Sequence, residues 1–172
     1  MTNSRLIIMR HAKSDWHSSA SSDFDRPLSS RGERDGVRMG KWLFKKKFHL
    51  EFIISSPAIR ARETSNLVAE EIKFPLDEIN YSGPLYLASL PELLAAVESY
   101  SSNVNCMLIV GHNPGMDDLL CHLATEPPAF TDTGKLMTTA NIAVLNFGKK
   151  AISVESQSAS IEMFVRPKKL DK

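Results

Sequence analysis

The chain has 172 residues, with 21 Lys and Arg against 20 Asp and Glu, a formal net charge of +1 and 42% hydrophobic residues. That length and composition suit one soluble globular domain spanning residues 1–172. The charge balance speaks against broad nucleic-acid or membrane-surface binding, and the longest aliphatic runs fall far short of the ~20 residues of a membrane span.

Strand-like and helix-like segments alternate, the pattern of a mostly parallel sheet covered by helices. An apolar run, Leu6-Ile7-Ile8-Met9, ends abruptly in Arg10-His11 and predicts a first strand over residues 5–10. It begins so close to Met1 that no signal or transit peptide is expected, and a cytoplasmic location is expected with it. A polar loop from Lys13 to Pro27 follows. Ser30 with Glu33 fits a capping box and opens a helix to about Lys46. Phe52-Ile53-Ile54 is the second strand, after which Ser56 is read as the cap, and Pro57 as the first turn, of a helix to about Ile72. Tyr81 to Leu87 reads as a short extended piece. Ser89 with Glu92 is a second capping box, for a helix ending near Tyr100. Cys106 to Val110 is the next strand and Met116 to Ala124 the next helix. Two antiparallel, edge-like strands are expected at 140–147 and 160–165. The other connections are short, so the cleft at the strand ends reads as uncapped.

The two cysteines belong to no Cys-x-x-Cys pair and read as small buried hydrophobes. The Lys45-Lys46-Lys47 cluster and the Lys168-Lys169 tail read as a solvated helix end and a frayed terminus, with contact to an acidic partner as the alternative. His17, His49 and His122 carry no motif and read as surface or packing residues.

The chemistry gathers where strands end. Ligands of open α/β sheets lie beyond the carboxyl ends of the strands. Arg10 and His11 follow the first strand, Arg26 lies on the loop leaving it, and Arg60 lies one turn into the helix after the second. A second apolar run, Met107-Leu108-Ile109-Val110, ends in Gly111-His112. Guanidiniums bind phosphate through forked, charge-assisted hydrogen bonds and neutralise charge that spreads during phosphoryl transfer. A neutral imidazole attacks phosphorus without prior deprotonation. No His-x-His, His-x-x-x-His or carboxylate triad accompanies the histidines, so no metal and no cofactor is expected. Ser55 and Ser56 lack the Gly-x-Ser-x-Gly elbow of a serine nucleophile.

These residues fall into four segments in a familiar order. Arg10-His11-Ala12-Lys13 resembles the Arg-His-Gly or Arg-His-Ala signature of the histidine phosphatase superfamily, also called phosphoglycerate-mutase-like. Ser56-Pro57-Ala58-Ile59-Arg60-Ala61-Arg62-Glu63-Thr64 is similar to its second motif. Arg26-Pro27-Leu28-Ser29 with Gly32 resembles its loop-to-helix motif, and Gly111-His112-Asn113-Pro114 its second histidine. Within the family the likeness is to the small SixA-type phosphohistidine phosphatases. The resemblance implies a three-layer α/β/α sandwich and a nucleophilic His11. It implies a phosphate pocket of Arg10, Arg60 and His112, with Arg26 as a further contact. It also implies a partner protein bearing phosphohistidine. Alternatives are a phosphomonoesterase for a small metabolite and a phospho-recognition module without turnover. One departure stands out: residues 81–87 lack the carboxylic acid that many relatives carry near the third strand. An imidazole leaving group needs less protonation than an alkoxide, so its absence favours phosphohistidine. Asp15, Glu78 and Glu92 are the remaining proton sources nearby.

Overall fold

The computed structural model describes residues 2–170. One six-stranded sheet organises them, in the order β3-β2-β4-β1-β5-β6. The strands are β1 (Arg5–Arg10), β2 (Phe52–Ser55), β3 (Asn80–Tyr81), β4 (Cys106–Gly111), β5 (Ile142–Asn146) and β6 (Ser160–Val165). The helices are α1 (Ser30–Lys46), α2 (Ile59–Ile72), α3 (Leu90–Ser101) and α4 (Gly115–Leu123). β1 to β4 run parallel, and β5 and β6 are antiparallel.

Alternation along β1 divides the core. Leu6 and Ile8 point to one face, among Leu93 and Val97 of α3 and Leu119 and Leu120 of α4. Ile7 and Met9 point to the other, among Met39 and Leu43 of α1 and Val68 and Ala69 of α2. Two helices on each face complete the three-layer α/β/α sandwich. A fully buried aliphatic side chain contributes about 1.5–3 kcal/mol. β1 and β4 are buried along nearly their whole length, so the sheet holds their carboxyl ends rigidly.

Several boundaries differ from the sequence reading. The cap of α1 is Ser29, not Ser30, because the carbonyl of Lys13 fixes the helix start. That carbonyl accepts both the Ser29 N–H, at 2.9 Å, and the Ser29 hydroxyl, at 3.0 Å. A Cβ on Gly32 would stand 2.0 Å from the same oxygen, so only glycine lets the helix pass there. α2 starts at Ile59 with Ala58 as its cap. Its first N–H is taken by the carbonyl of Phe24 on the long loop, at 3.0 Å, and Ser56 is freed for another partner. Past β3, residues 83–85 form a 3-10 turn. The capping box at Ser89 forms as expected: the Glu92 carboxylate accepts the Ser89 N–H at 2.8 Å.

Cys106 is buried, and desolvation pushes its thiol up to about 12. Cys121 is exposed, contrary to its reading as a buried residue, because it faces away from the apolar side of α4. The connection from α4 to β5 is long, not short. It folds over the end of β1, where the carbonyl of Met137 accepts from Arg10 at 2.9 Å. The Lys168-Lys169 segment is not frayed: residues 167–169 make a 3-10 turn packed near α1. No helix is long and apolar enough to cross a membrane among the described residues.

Candidate active site

Strand register builds the site. In the parallel β1–β4 pair Arg10 stands opposite Gly111, and the His11 N–H donates to the Gly111 carbonyl at 3.0 Å. The next residues along the two strands, His11 and His112, are therefore neighbours. Their ring centroids lie 5.1 Å apart, although a hundred residues of chain separate them.

Arg60 joins the two rings. It enters from the first turn of α2 and is 2% exposed. Its Nε donates to His11 Nε2 at 3.4 Å, and its Nη2 lies 3.3 Å from His112 Nδ1. These contacts assign the tautomers. His11 Nδ1 donates to the Ala12 carbonyl at 2.7 Å, so Nε2 holds the free lone pair beside the guanidinium. His112 Nε2 donates to Ser56 Oγ at 2.7 Å, so its Nδ1 is the acceptor. Both rings are held neutral. Burial lowers His11 to about 3, against the pull of the Ala12 bond, and the charge of Arg60 and Arg10 adds to the effect. Burial lowers His112 to about 4, helped by Arg60 and opposed by Asp23.

The remaining cations close the cleft. Arg10 donates to the Met137 carbonyl, which also takes the Asn113 amide at 3.1 Å. Asp117 fixes that segment by accepting the Met137 N–H at 2.9 Å. Arg26 reaches the cleft from the long loop, bonds Ser14, and stacks on Trp16 with 3.6 Å from its guanidinium carbon to the ring centroid. Thr64 accepts the Ala12 N–H at 3.0 Å and donates to the Arg60 carbonyl at 2.6 Å, tying α2 to the turn after His11. Arg10, His11, Arg26, Arg60 and His112 all line one cleft of about 310 Å³. The structure thus brings together the two histidines and three arginines that the sequence singled out.

Sequence reasoning missed three participants. Asp23, on the long loop, pairs with Arg26 at 2.7 Å and Arg60 at 3.0 Å and accepts the Tyr86 hydroxyl at 2.7 Å. The Tyr86 bond first, and then Arg26 and Arg60, hold its carboxyl well below the usual carboxylate range despite partial burial. Tyr86 also lies edge-on to His112, with centroids 5.5 Å apart. Ser56 orients His112 instead of capping α2. The one sequence signal for Asp23 was its spacing of three residues before Arg26.

Asp15, Glu78 and Glu92 are not among the residues lining the cleft. Asp15 accepts the His17 N–H at 2.8 Å, and Glu92 is spent on the capping box. His17 and His49 are exposed, and His122 sits 2.9 Å from the Val154 carbonyl, so all three are outside the site. Among the described residues no group of three or more His, Cys, Asp or Glu gathers in the manner of a metal centre.

Comparison with known proteins gives a consistent picture. Residues 6–81 match the model of the histidine phosphatase superfamily (branch 1). Phosphohistidine phosphatase SixA of Escherichia coli (strain K12) is 31% identical over 134 residues, which cover 74% of this chain and 80% of that protein. An uncharacterized protein of Mycobacterium leprae (strain TN) is 31% identical over 166 residues, covering 93% of this chain and all of its own. A solved structure of the protein histidine phosphatase SixA complexed with tungstate superposes with a TM-score of 0.79 at 24% identity, over 96% of this chain and 99% of that one. On the sequence relatives, the shared fold and a cleft built from two imidazoles and three guanidiniums, this chain belongs to the histidine phosphatase superfamily and is a phosphatase of its SixA type.

Proposed function

We propose that this protein removes phosphate from phosphohistidine on a partner protein in the cytoplasm, with His11 as the nucleophile and without a metal ion. The observation that carries this reading is the state of the carboxylate in the cleft. Asp23 is held ionised by Tyr86, Arg26 and Arg60, and so it has no proton to give a leaving group. A phosphate ester releases an alkoxide, and the missing acid then forfeits about a hundredfold to ten-thousandfold. Phosphohistidine avoids that loss. Its ring reacts with the non-phosphorylated nitrogen already protonated and leaves as neutral imidazole.

In the first step the lone pair on His11 Nε2 attacks phosphorus in line, and the phosphorus–nitrogen bond of the substrate breaks. The new ring cation keeps its Nδ1–H on the Ala12 carbonyl. Nucleophile and leaving group are both imidazoles, so charge passes from one ring to the other and no proton has to move. Arg10, Arg60 and Arg26 supply the positive charge that phosphoryl transfer needs around its equatorial oxygens. His112 faces the same oxygens. In the second step water attacks phospho-His11, inorganic phosphate leaves, and the ring returns to its Nδ1–H tautomer.

Two further features support the reading. The similar SixA structure is a complex with tungstate, a tetrahedral oxyanion, which supports an oxyanion ligand for this chain. Trp16 and Leu87 line the cleft while remaining 69% and 57% exposed, an apolar mouth that suits a ring on another protein's surface. The test is the ratio of kcat/KM on a phosphohistidine peptide to that on glycerol phosphates, with p-nitrophenyl phosphate, whose phenolate leaves without an acid, as the control for an intact pocket. A ratio above about a hundred is expected from the missing acid. Faster turnover of the alkyl esters would mark a metabolite phosphatase instead, and binding without turnover of either would mark a recognition module.

A further inference from the structure

A second concavity, of about 430 Å³, adjoins the cleft and shares Arg10, Lys13 and Thr139 with it. Arg31 of α1, Lys135 of the α4–β5 connection, and Arg166, Lys168 and Lys169 near the C-terminus complete its basic lining. The chain as a whole is almost neutral, yet a third of its 21 Lys and Arg face this one groove. No Asp or Glu lines it among the described residues. Arg31 has a distant partner in Asp35, at 3.5 Å. Two of the arginines are incompletely satisfied: Arg10 and Arg166 each bury an Nε–H with no acceptor among the described residues. A buried donor without a partner costs about 1–3 kcal/mol, so these two guanidiniums keep unmet donor capacity beside the groove.

We infer that this groove docks an acidic stretch of polypeptide next to the phosphorylated histidine of the partner. The inference rests on the phosphohistidine reading above and names the chemistry of the partner. Four of the cations are lysines, Lys13, Lys135, Lys168 and Lys169, carried by three separate segments. A lysine is a point charge on a flexible stem, whereas clustered phosphates are matched best by convergent guanidinium forks. Carboxylates spaced along a chain fit such a distributed set. Because the groove opens into the cleft at Arg10 and Lys13, one continuous ligand can fill both.

The experiment uses the full chain and two phosphohistidine peptides of equal length. One carries Asp and Glu on one side of the phosphohistidine, and the other carries Ser and Asn there. The wild type should prefer the acidic peptide in kcat/KM by about tenfold at low salt, the sum of a few exposed ion pairs. The preference should fade as salt shortens the screening length. In the triple variant Lys135→Glu, Lys168→Glu, Lys169→Glu, with its fold checked by thermal melting, the ratio of the two peptides should collapse to one or invert. Equal use of the peptides by the wild type, or an unchanged preference in the variant, overturns the inference.

A separate arm protects this test from failure of the phosphohistidine reading. If neither peptide is dephosphorylated while p-nitrophenyl phosphate is, that reading fails by itself. The unphosphorylated acidic peptide should still compete with ester hydrolysis in the wild type and lose that competition in the triple variant. Absence of competition overturns the docking inference. Competition by inorganic triphosphate but not by the acidic peptide assigns the groove to a small polyanion and overturns it as well.

Discussion

Asp23 occupies guanidinium donors of Arg26 and Arg60 that the proposed reaction assigns to the phosphoryl group. Its carboxylate holds Arg26 at 2.7 Å and Arg60 at 3.0 Å. Its backbone carbonyl takes a third donor, Arg60 Nη1, at 2.6 Å. Replacing Asp23→Asn removes the charge but leaves an oxygen that accepts a hydrogen bond and the backbone contact. The Arg60 guanidinium lies between them, 3.0 Å from the Asp23 carboxylate and 3.4 Å from His11 Nε2, so an oxyanion at His11 Nε2 would stand on the order of 5 Å from this carboxylate. A pair of unit charges at that separation interacts by about 3 kcal/mol at an effective dielectric of 20, and by about 0.8 kcal/mol in bulk water. The Asp23 side chain is 44% exposed, so the aqueous end of that range governs. Relief of about 1 kcal/mol corresponds to roughly fivefold in affinity, with about tenfold as the upper bound for a multiply charged oxyanion. The assay is inhibition of p-nitrophenyl phosphate hydrolysis by vanadate at low ionic strength. The inhibition constant of Asp23→Asn should fall five- to tenfold, and the gain should shrink in high salt. Asp23→Ala removes the oxygen acceptor as well, and its kcat should drop because Arg60 loses an anchor. An inhibition constant that stays the same or rises in Asp23→Asn would refute the competition and leave Asp23 as an orienting residue only.

His11, the proposed nucleophile, should be available far into acid. An imidazole with the ordinary value of ~6.5 is only about 3% neutral at pH 5, whereas His11, lowered to about 3, is almost wholly neutral there. After correction for substrate ionisation, kcat/KM should change less than about twofold between pH 8 and pH 5.5; an acid limb centred near 6.5 would contradict the burial of the ring. The same depression sets a stability window. Both histidines titrate lower in the folded protein than in the unfolded chain, so the unfolded state binds more protons below pH 6.5 and stability is lost as pH falls towards 4 and 3. Denaturant unfolding should show a loss of about 2 kcal/mol per ring between pH 7 and pH 5, roughly halved in its pH dependence by His11→Asn. Ser56→Ala leaves the Nε2–H of His112 buried without an acceptor. It should lower stability by about 1–3 kcal/mol and reduce kcat on the order of tenfold, as read by melting and by steady-state rates. Gly32→Ala places a methyl group on the Lys13 carbonyl, 2.0 Å away; displacement of the turn after His11 should cut activity and stability together.

What the sequence revealed and what it hid divide along a physical line. Arg10, His11 and His112 were legible because apolar strands end on them, and parallel pairing then makes neighbours of residues distant in the chain. Arg60 was legible from its place in a helix that follows a strand, although α2 starts at Ile59 and puts it in the first turn rather than one turn in. The helices on both faces followed from periodicity. Asp23 and Tyr86 were not legible, because loop residues acquire partners only when the long loop folds back over α2. Ser56 was misread for a related reason: local spacing gave it a capping role, and the imidazole of His112 claimed it from across the sheet. The capping assignment at Ser30 slipped by one residue because the deciding atom, the carbonyl of Lys13, belongs to another segment. The basic groove was hidden in the same way. Its lysines are scattered along the chain, and Lys168-Lys169 looked like a loose terminus until the turn at 167–169 placed them beside α1.

The most direct measurement is the covalent state of His11 during turnover. Rapid acid-free quenching of the protein with a radiolabelled phosphohistidine peptide should trap one phosphate per chain, labile to acid, stable to base and mapping to the peptide that contains His11. The His11→Ala variant should carry no label and show no turnover. Label that persists on that variant, or turnover by the wild type with no trapped phosphohistidine at any time point, would contradict nucleophilic attack by this ring.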